Sequence, residues 1–146
     1  MGQRVNIERT QPDIWKAMYG LSSSLNKITL PPIHKHLITV RASQINSCAF
    51  CINMHTDEAL KSGETQQRLF LLSAWKETDL FTDEEKALLA LTEEVTLIHQ
   101  KGVSDNTYKE AEKFFSPEKI GEIIMQIVLI NAWNRIAVST HMSFGK

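Results

Sequence analysis

The chain has 146 residues, of which 42% are hydrophobic and 23% charged, which suits one compact domain able to bury a core without covalent staples. Its formal net charge of −1 is spread along the whole length, which excludes the electrostatic footprint of a nucleic-acid or anionic-membrane binder. Only two cysteines are present, which excludes a disulfide framework, and in a reducing compartment a close pair is more often catalytic or metal-binding than structural. The N-terminal run from Met1 to Asn6 lacks the apolar stretch of a secretory signal, so a cytoplasmic location is expected.

Apolar residues recur at three- and four-residue intervals almost everywhere and no useful period-two segment is visible, so the expected class is all-α, a compact bundle of about seven helices. The first runs from about Pro12 to Leu25, with Ile14, Trp15, Met18, Leu21 and Leu25 facing a core. The second begins after Leu30-Pro31-Pro32, places Ile33, Leu37 and Val40 on one side, and ends near Asn46-Ser47. Asn46 or Ser47 caps the third, which carries Cys48 to Leu60 and stops at Ser62-Gly63. Thr65 opens a fourth helix through Trp75, and the Thr82-Asp-Glu-Glu85 capping box opens a fifth through about Gln100. A short sixth helix spans Ser104 to Phe115. The last starts at Ser116-Pro117 and runs towards Trp133; its apolar stretch is broken by Gly121, Glu122, Gln126, Asn131, Asn134 and Arg135, as befits a core helix rather than a bilayer span.

The chemistry concentrates in Cys48-x-x-Cys51-x-x-x-His55. At about 100° per residue these side chains fall at roughly 0°, 300° and 340° around the third helix, on one face. Unpaired N–H groups of a first helical turn favour a thiolate, and His55, one turn beyond Cys51, is placed to take a thiol proton. Cysteines at i and i+3 there have Cα atoms roughly 5–6 Å apart, within reach of a disulfide. A thiolate attacking a peroxide becomes a sulfenic acid, which a neighbouring thiol converts to a disulfide. Two other readings compete. Cys48 and Cys51 with His34 and His36 have the look of a zinc-stabilised interaction module, and His36 with His55 could serve as acid and base on a small organic acid.

Residues Arg41-Ala-Ser-Gln-Ile-Asn-Ser-Cys-Ala-Phe-Cys-Ile-Asn-Met-His55 resemble the core motif of the alkylhydroperoxidase AhpD-like, carboxymuconolactone decarboxylase superfamily. The resemblance continues through Ala59 to Glu64, Arg68 to Trp75, Phe81 to Thr96 and Asn131 to Arg135. It implies an all-α fold assembling as homo-trimers or homo-hexamers, and a thiol peroxidase or disulfide reductase that needs no cofactor, acting on a peroxide or disulfide with a thiol electron donor. It also implies that His55 activates Cys51 and that Cys48 resolves the sulfenic acid. Members of the redox branch carry a glutamate of the proton relay twelve positions before the first cysteine, where this chain has His36. Neutral His36 supplies no negative charge there, so a weakened relay is expected.

Trp15, Trp75 and Trp133 read as packing residues, Asn131, Asn134 and Arg135 as a polar network, Gln44 and Asn46 as helix-end hydrogen-bonding groups, and Glu93 and Glu94 as a solvated face. His99 and His141 read as surface or helix-end residues. The oligomer implied by the resemblance is directly testable: light scattering at micromolar concentration is expected to give a trimeric or hexameric mass, and a monomeric mass refutes it.

Overall fold

The computed structural model describes residues 2–144; Met1, which opens the segment read above for a signal, lies outside them. The described residues are all-α, without a strand, in the order α1 (Ile7–Thr10), α2 (Pro12–Leu25), α3 (Pro32–Ile45), α4 (Ala49–Lys61), α5 (Gln66–Leu71), a 3-10 helix (Leu72–Glu77), α6 (Asp83–Thr96), α7 (Ile98–Lys101), α8 (Asp105–Glu112) and α9 (Pro117–Thr140). The expected class is borne out, and most boundaries follow from local chemistry. Pro12, Pro32 and Pro117 each occupy a first turn, where the missing N–H costs nothing. Thr65, Thr82, Ser104 and Ser116 accept hydrogen bonds from the backbone N–H three residues on, and Glu85 returns the bond to Thr82 N to complete a capping box. Gly63 and Gly102 take the positive φ that the chain needs to leave α4 and α7.

The count of about seven helices is exceeded for three local reasons. Asn6 caps the four-residue α1, too short to show a period. The helix expected through Gln100 breaks at Leu97, within the run Val95-Thr96-Leu97-Ile98 whose β-branched side chains crowd the preceding turn, and α7 is what remains beyond it. The helix expected through Trp75 tightens after Leu71 into the 3-10 segment, with non-helical backbone at Ala74. That kink turns Trp75 into the core, where its indole donates a 2.7 Å hydrogen bond to Glu93. The last helix runs on past Trp133 to Thr140.

Helices α3 and α9 are the centre: α3 packs on α4, α6 and α9, and α9 also meets α2, α4, α6 and α8. Every residue of α3 from Leu37 to Val40 is buried, so the helix expected to bury a single stripe is there enclosed on all sides. Ile123, Ile127 and Ile130 of α9 belong to one buried core cluster with Leu37, Ile38, Leu88 and Leu91. By length and apolarity α9 resembles a membrane-spanning helix, yet these residues face other helices.

One charged cluster is built into this frame. Arg68 donates to Glu64 at 2.8 Å and to Glu85 at 2.6 Å, and the Glu64 side chain is almost fully buried. Burial works against the charge of Glu85, but the bonds from Arg68 and from the Thr82 N–H outweigh it and hold the carboxyl below its ordinary range. A carboxyl depressed in the folded state stabilises the fold above its unfolded-state pKa, about 4, and that contribution drains as pH falls through the folded value. Arg68→Leu therefore strands two carboxylates and is expected to cost about 3–5 kcal/mol at pH 7, with a smaller deficit in acid, where the contribution of Glu85 is itself lost. Urea unfolding of both proteins at pH 7 and at about pH 4 checks this.

Candidate active site

The turn between α3 and α4 builds the cysteine site. Asn46 N–H still bonds Ala42 O, Ser47 then takes a left-handed conformation with φ 54°, and Cys48 N–H bonds back to Ser43 O. The chain thus reverses within two residues, and Cys48 becomes the N-cap of α4, its Sγ accepting from the Cys51 N–H at 3.3 Å. Capping by Asn46 or Ser47, expected from sequence, does not occur. Ser47 is the residue that makes the reversal, and the Asn46 side chain is spent on α9. Cys48 and Cys51 are joined as a disulfide with Cα atoms 5.3 Å apart, and they are 1% and 2% exposed.

A left-handed serine is unfavourable by roughly 1–2 kcal/mol and persists where its surroundings over-determine it. Here they do. Asn46 Nδ2 donates to Asn131 Oδ1 and Asn134 Oδ1, both at 2.9 Å. Asn134, fully buried, donates in turn to Ser43 Oγ at 3.0 Å, while Asn131 donates to Thr96 Oγ1 and accepts from Arg135. The polar residues of α9 therefore form the network expected of them, and its object is the turn that carries Cys48. The Gln44 side chain accepts from Arg41 Nη1, one turn earlier on α3, instead of bonding a helix-end backbone group.

In front of the turn lies a cavity of about 400 Å³. Cys51 and His55 line it and Cys48 does not. Phe50 and Met54 of α4, Trp15 and Tyr19 of α2, and Trp133 of α9 make its apolar wall, with Gln126 as a polar group from α9. Trp133 meets Trp15 edge-on at 5.2 Å and Tyr19 at 5.5 Å, and its indole N–H donates to Ser22 Oγ. Reading Trp15 and Trp133 as packing residues alone is thus corrected: they pack against each other and so wall the cavity. Trp75 stays in the core. The solvated face expected of Glu93 and Glu94 is corrected as well. Glu93 is half-buried among Arg41, Trp75 and Lys76, whose bonds overcome burial and hold its carboxyl low, and Glu94 accepts from Ser104 and Thr107 at the start of α8.

His55 Nδ1 lies 2.8 Å from Glu58 Oε2, three residues further along α4. Sequence reading passed over Glu58, although the i,i+3 spacing of His55 and Glu58 was there to find it. His36 Nε2 meets Ser62 Oγ at 3.0 Å at the end of α4, and His36 is not part of the cavity wall. Burial lowers the His36 pKa, and the nearby charges of His55 and Lys35 oppose its protonation further, against the pull of Glu58 and Glu64. His36 is therefore neutral near pH 7. His34 is buried edge-on against Phe115, so it and His36 are not gathered around the cysteines. Among the described residues no group of three or more His, Cys, Asp or Glu side chains is placed to hold a metal ion.

This fold and its cysteine–histidine turn define an AhpD-like helical protein. The carboxymuconolactone decarboxylase family pattern matches residues 12–94, and the chain belongs to that family. YdfG, an uncharacterized protein of Bacillus subtilis (strain 168), is 42% identical over 144 residues, 95% of each chain. A protein of unknown function from Agrobacterium tumefaciens, for which the role of antioxidant defence protein AhpD has been suggested, superposes with a TM-score of 0.96 at 36% identity over 99% of both chains. A peroxidase-related protein with an alkylhydroperoxidase AhpD core from Ralstonia eutropha JMP134 shares the fold, with a TM-score of 0.82 at 17% identity over 95% of this chain and 74% of its own.

The network behind the turn supplies its own test. Asn46→Ala removes both bonds to α9 and leaves the buried Asn134 oxygen unpaired, which is expected to cost about 1–3 kcal/mol in urea unfolding. A change within about 0.5 kcal/mol would show that the turn does not depend on the network.

Proposed function

We propose that the protein is a thiol oxidoreductase that reduces peroxides, or exchanges disulfides, with Cys51 as the reacting cysteine, Cys48 as its resolving partner and His55 as the base. The observation that carries this reading is that Cys51 lines the cavity beside His55 while Cys48, bonded to it, lies behind. In the reduced protein the Cys51 thiol gives its proton to His55, and the first turn of α4 stabilises the thiolate. The thiolate attacks one peroxide oxygen; an S–O bond forms, the O–O bond breaks, and the leaving alkoxide or hydroxide takes the proton from the imidazolium. Cys48 then attacks the Cys51 sulfenic sulfur, forming the disulfide and releasing water. An external thiol donor, with two thiols oxidised per cycle, restores the pair through Cys51, the sulfur that faces the cavity. No step calls for a cofactor.

His36 enters this reading as a neutral group near the pair, standing where the resemblance places a glutamate. Acid–base chemistry by His36 and His55 on a small organic acid is less well supported, because His36 binds Ser62 and does not line the cavity.

Cys51→Ser is expected to abolish peroxide consumption, whereas Cys48→Ser completes one turnover and stops at a Cys51 sulfenic acid, trapped by a dione reagent and located by mass spectrometry. A full single turnover by Cys51→Ser would reverse the assignment of the two cysteines.

A further inference from the structure

The Cys51–His55 pair needs a group that decides which imidazole nitrogen is left to accept the thiol proton. Resting on the reading of Cys51 as thiol and His55 as base, we propose that Glu58 is the positioning carboxylate of this site: it holds the proton on His55 Nδ1, leaves Nε2 as the acceptor for the Cys51 proton, and balances the imidazolium that forms. The Glu58 Oε2 to His55 Nδ1 distance is 2.8 Å, and both residues border the cavity that Cys51 lines. A histidine whose Nδ1–H is engaged by a carboxylate presents a basic Nε2, and a charged partner supplies what a neutral one cannot.

The other ionisable groups around the pair do not compete for this role. From α3 come Lys35 and His36, one a cation and the other neutral and bonded to Ser62. On α4 itself Asp57 is paired with Lys61 at 2.6 Å, and beyond its end Glu64 is engaged by Arg68. Helix α2 brings Tyr19 to the cavity, and α9 brings Gln126 and no charge. Glu58 is the carboxylate within hydrogen-bond distance of His55, and among the described residues its side chain has no other hydrogen bond. Since residue 36 is neutral here, the negative charge of the site comes from the same helix as the base, one turn further on. The Glu58 side chain is 50% exposed, so water screens the pair and its effect is moderate.

Reduced Cys48→Ser protein, in which Cys51 is the sole thiol, is alkylated with iodoacetamide across pH 5–9 and followed by mass spectrometry, alone and with Glu58→Gln or Asp57→Asn added. Loss of the charge on Glu58 makes His55 a weaker proton acceptor. The Glu58→Gln midpoint is thus expected about half a pH unit higher, with Cys51 alkylated roughly threefold more slowly at pH 7. Asp57→Asn, which removes an equal charge from the adjacent position, is expected to overlay the parent. Nitrogen-15 NMR of His55 in the reduced parent is expected to show Nδ1 protonated above the imidazole titration, and Glu58→Ala is expected to shift the proton towards Nε2. An unmoved Glu58→Gln profile, or a parent His55 protonated on Nε2, overturns the proposal. Neither readout uses peroxide, so a protein that consumes no peroxide defeats the proposed function while these measurements still decide the role of Glu58.

Discussion

Much of this molecule depends on the side chain of Asn46 reaching α9. Its amide bridges Asn131 and Asn134, and through Asn134 the bond continues to Ser43 on its own helix. That loop of amides straddles the reversal at Ser47, holds a left-handed residue in place, and delivers Cys48 to the cap of α4. Buried amides are stabilising only when each finds its partners, so the network specifies one relation between α3, α4 and α9 and penalises others. The cysteine pair is consequently attached to the two helices at the centre of the bundle rather than to a free loop.

The site faces away from that anchor. The disulfide is almost fully buried, and of its two cysteines Cys51 lines the cavity while Cys48 does not. Besides Phe50, the cavity's aromatic wall comes from two helices far apart in sequence, α2 and α9, locked edge to face. Such a wall is well suited to lower the local polarity, which strengthens the electrostatic coupling between thiol, imidazole and carboxylate. His55 and Glu58 lie on one helix, so their spacing is set by helical geometry and not by how the helices are packed.

Two kinds of information shaped these features. Helix starts, the two stopping glycines, the cysteine–histidine spacing and the polar positions of the last helix were legible because each rests on chemistry within a few residues: a proline without an N–H, a hydroxyl over a bare N-terminus, a glycine free to take positive φ. The extra breaks at Leu97 and Ala74 were not legible. The same apolar period runs through them, and a helix that would otherwise continue is ended by crowding or by the demand of Trp75 for a buried acceptor.

By itself the sequence determined an all-helical chain of known family, with Cys48, Cys51 and His55 brought together at one helix start, because a period of 3.6 residues and a Cys-x-x-Cys spacing are local geometry. Tertiary structure alone decided which cysteine faces a cavity, that Trp15 and Trp133 wall it, that Glu93 lies among cations instead of in water, and that His36 turns to Ser62. Each of those outcomes joins residues from different helices, and the direction in which a side chain points across such a gap is set by how whole helices pack, which no window of sequence contains.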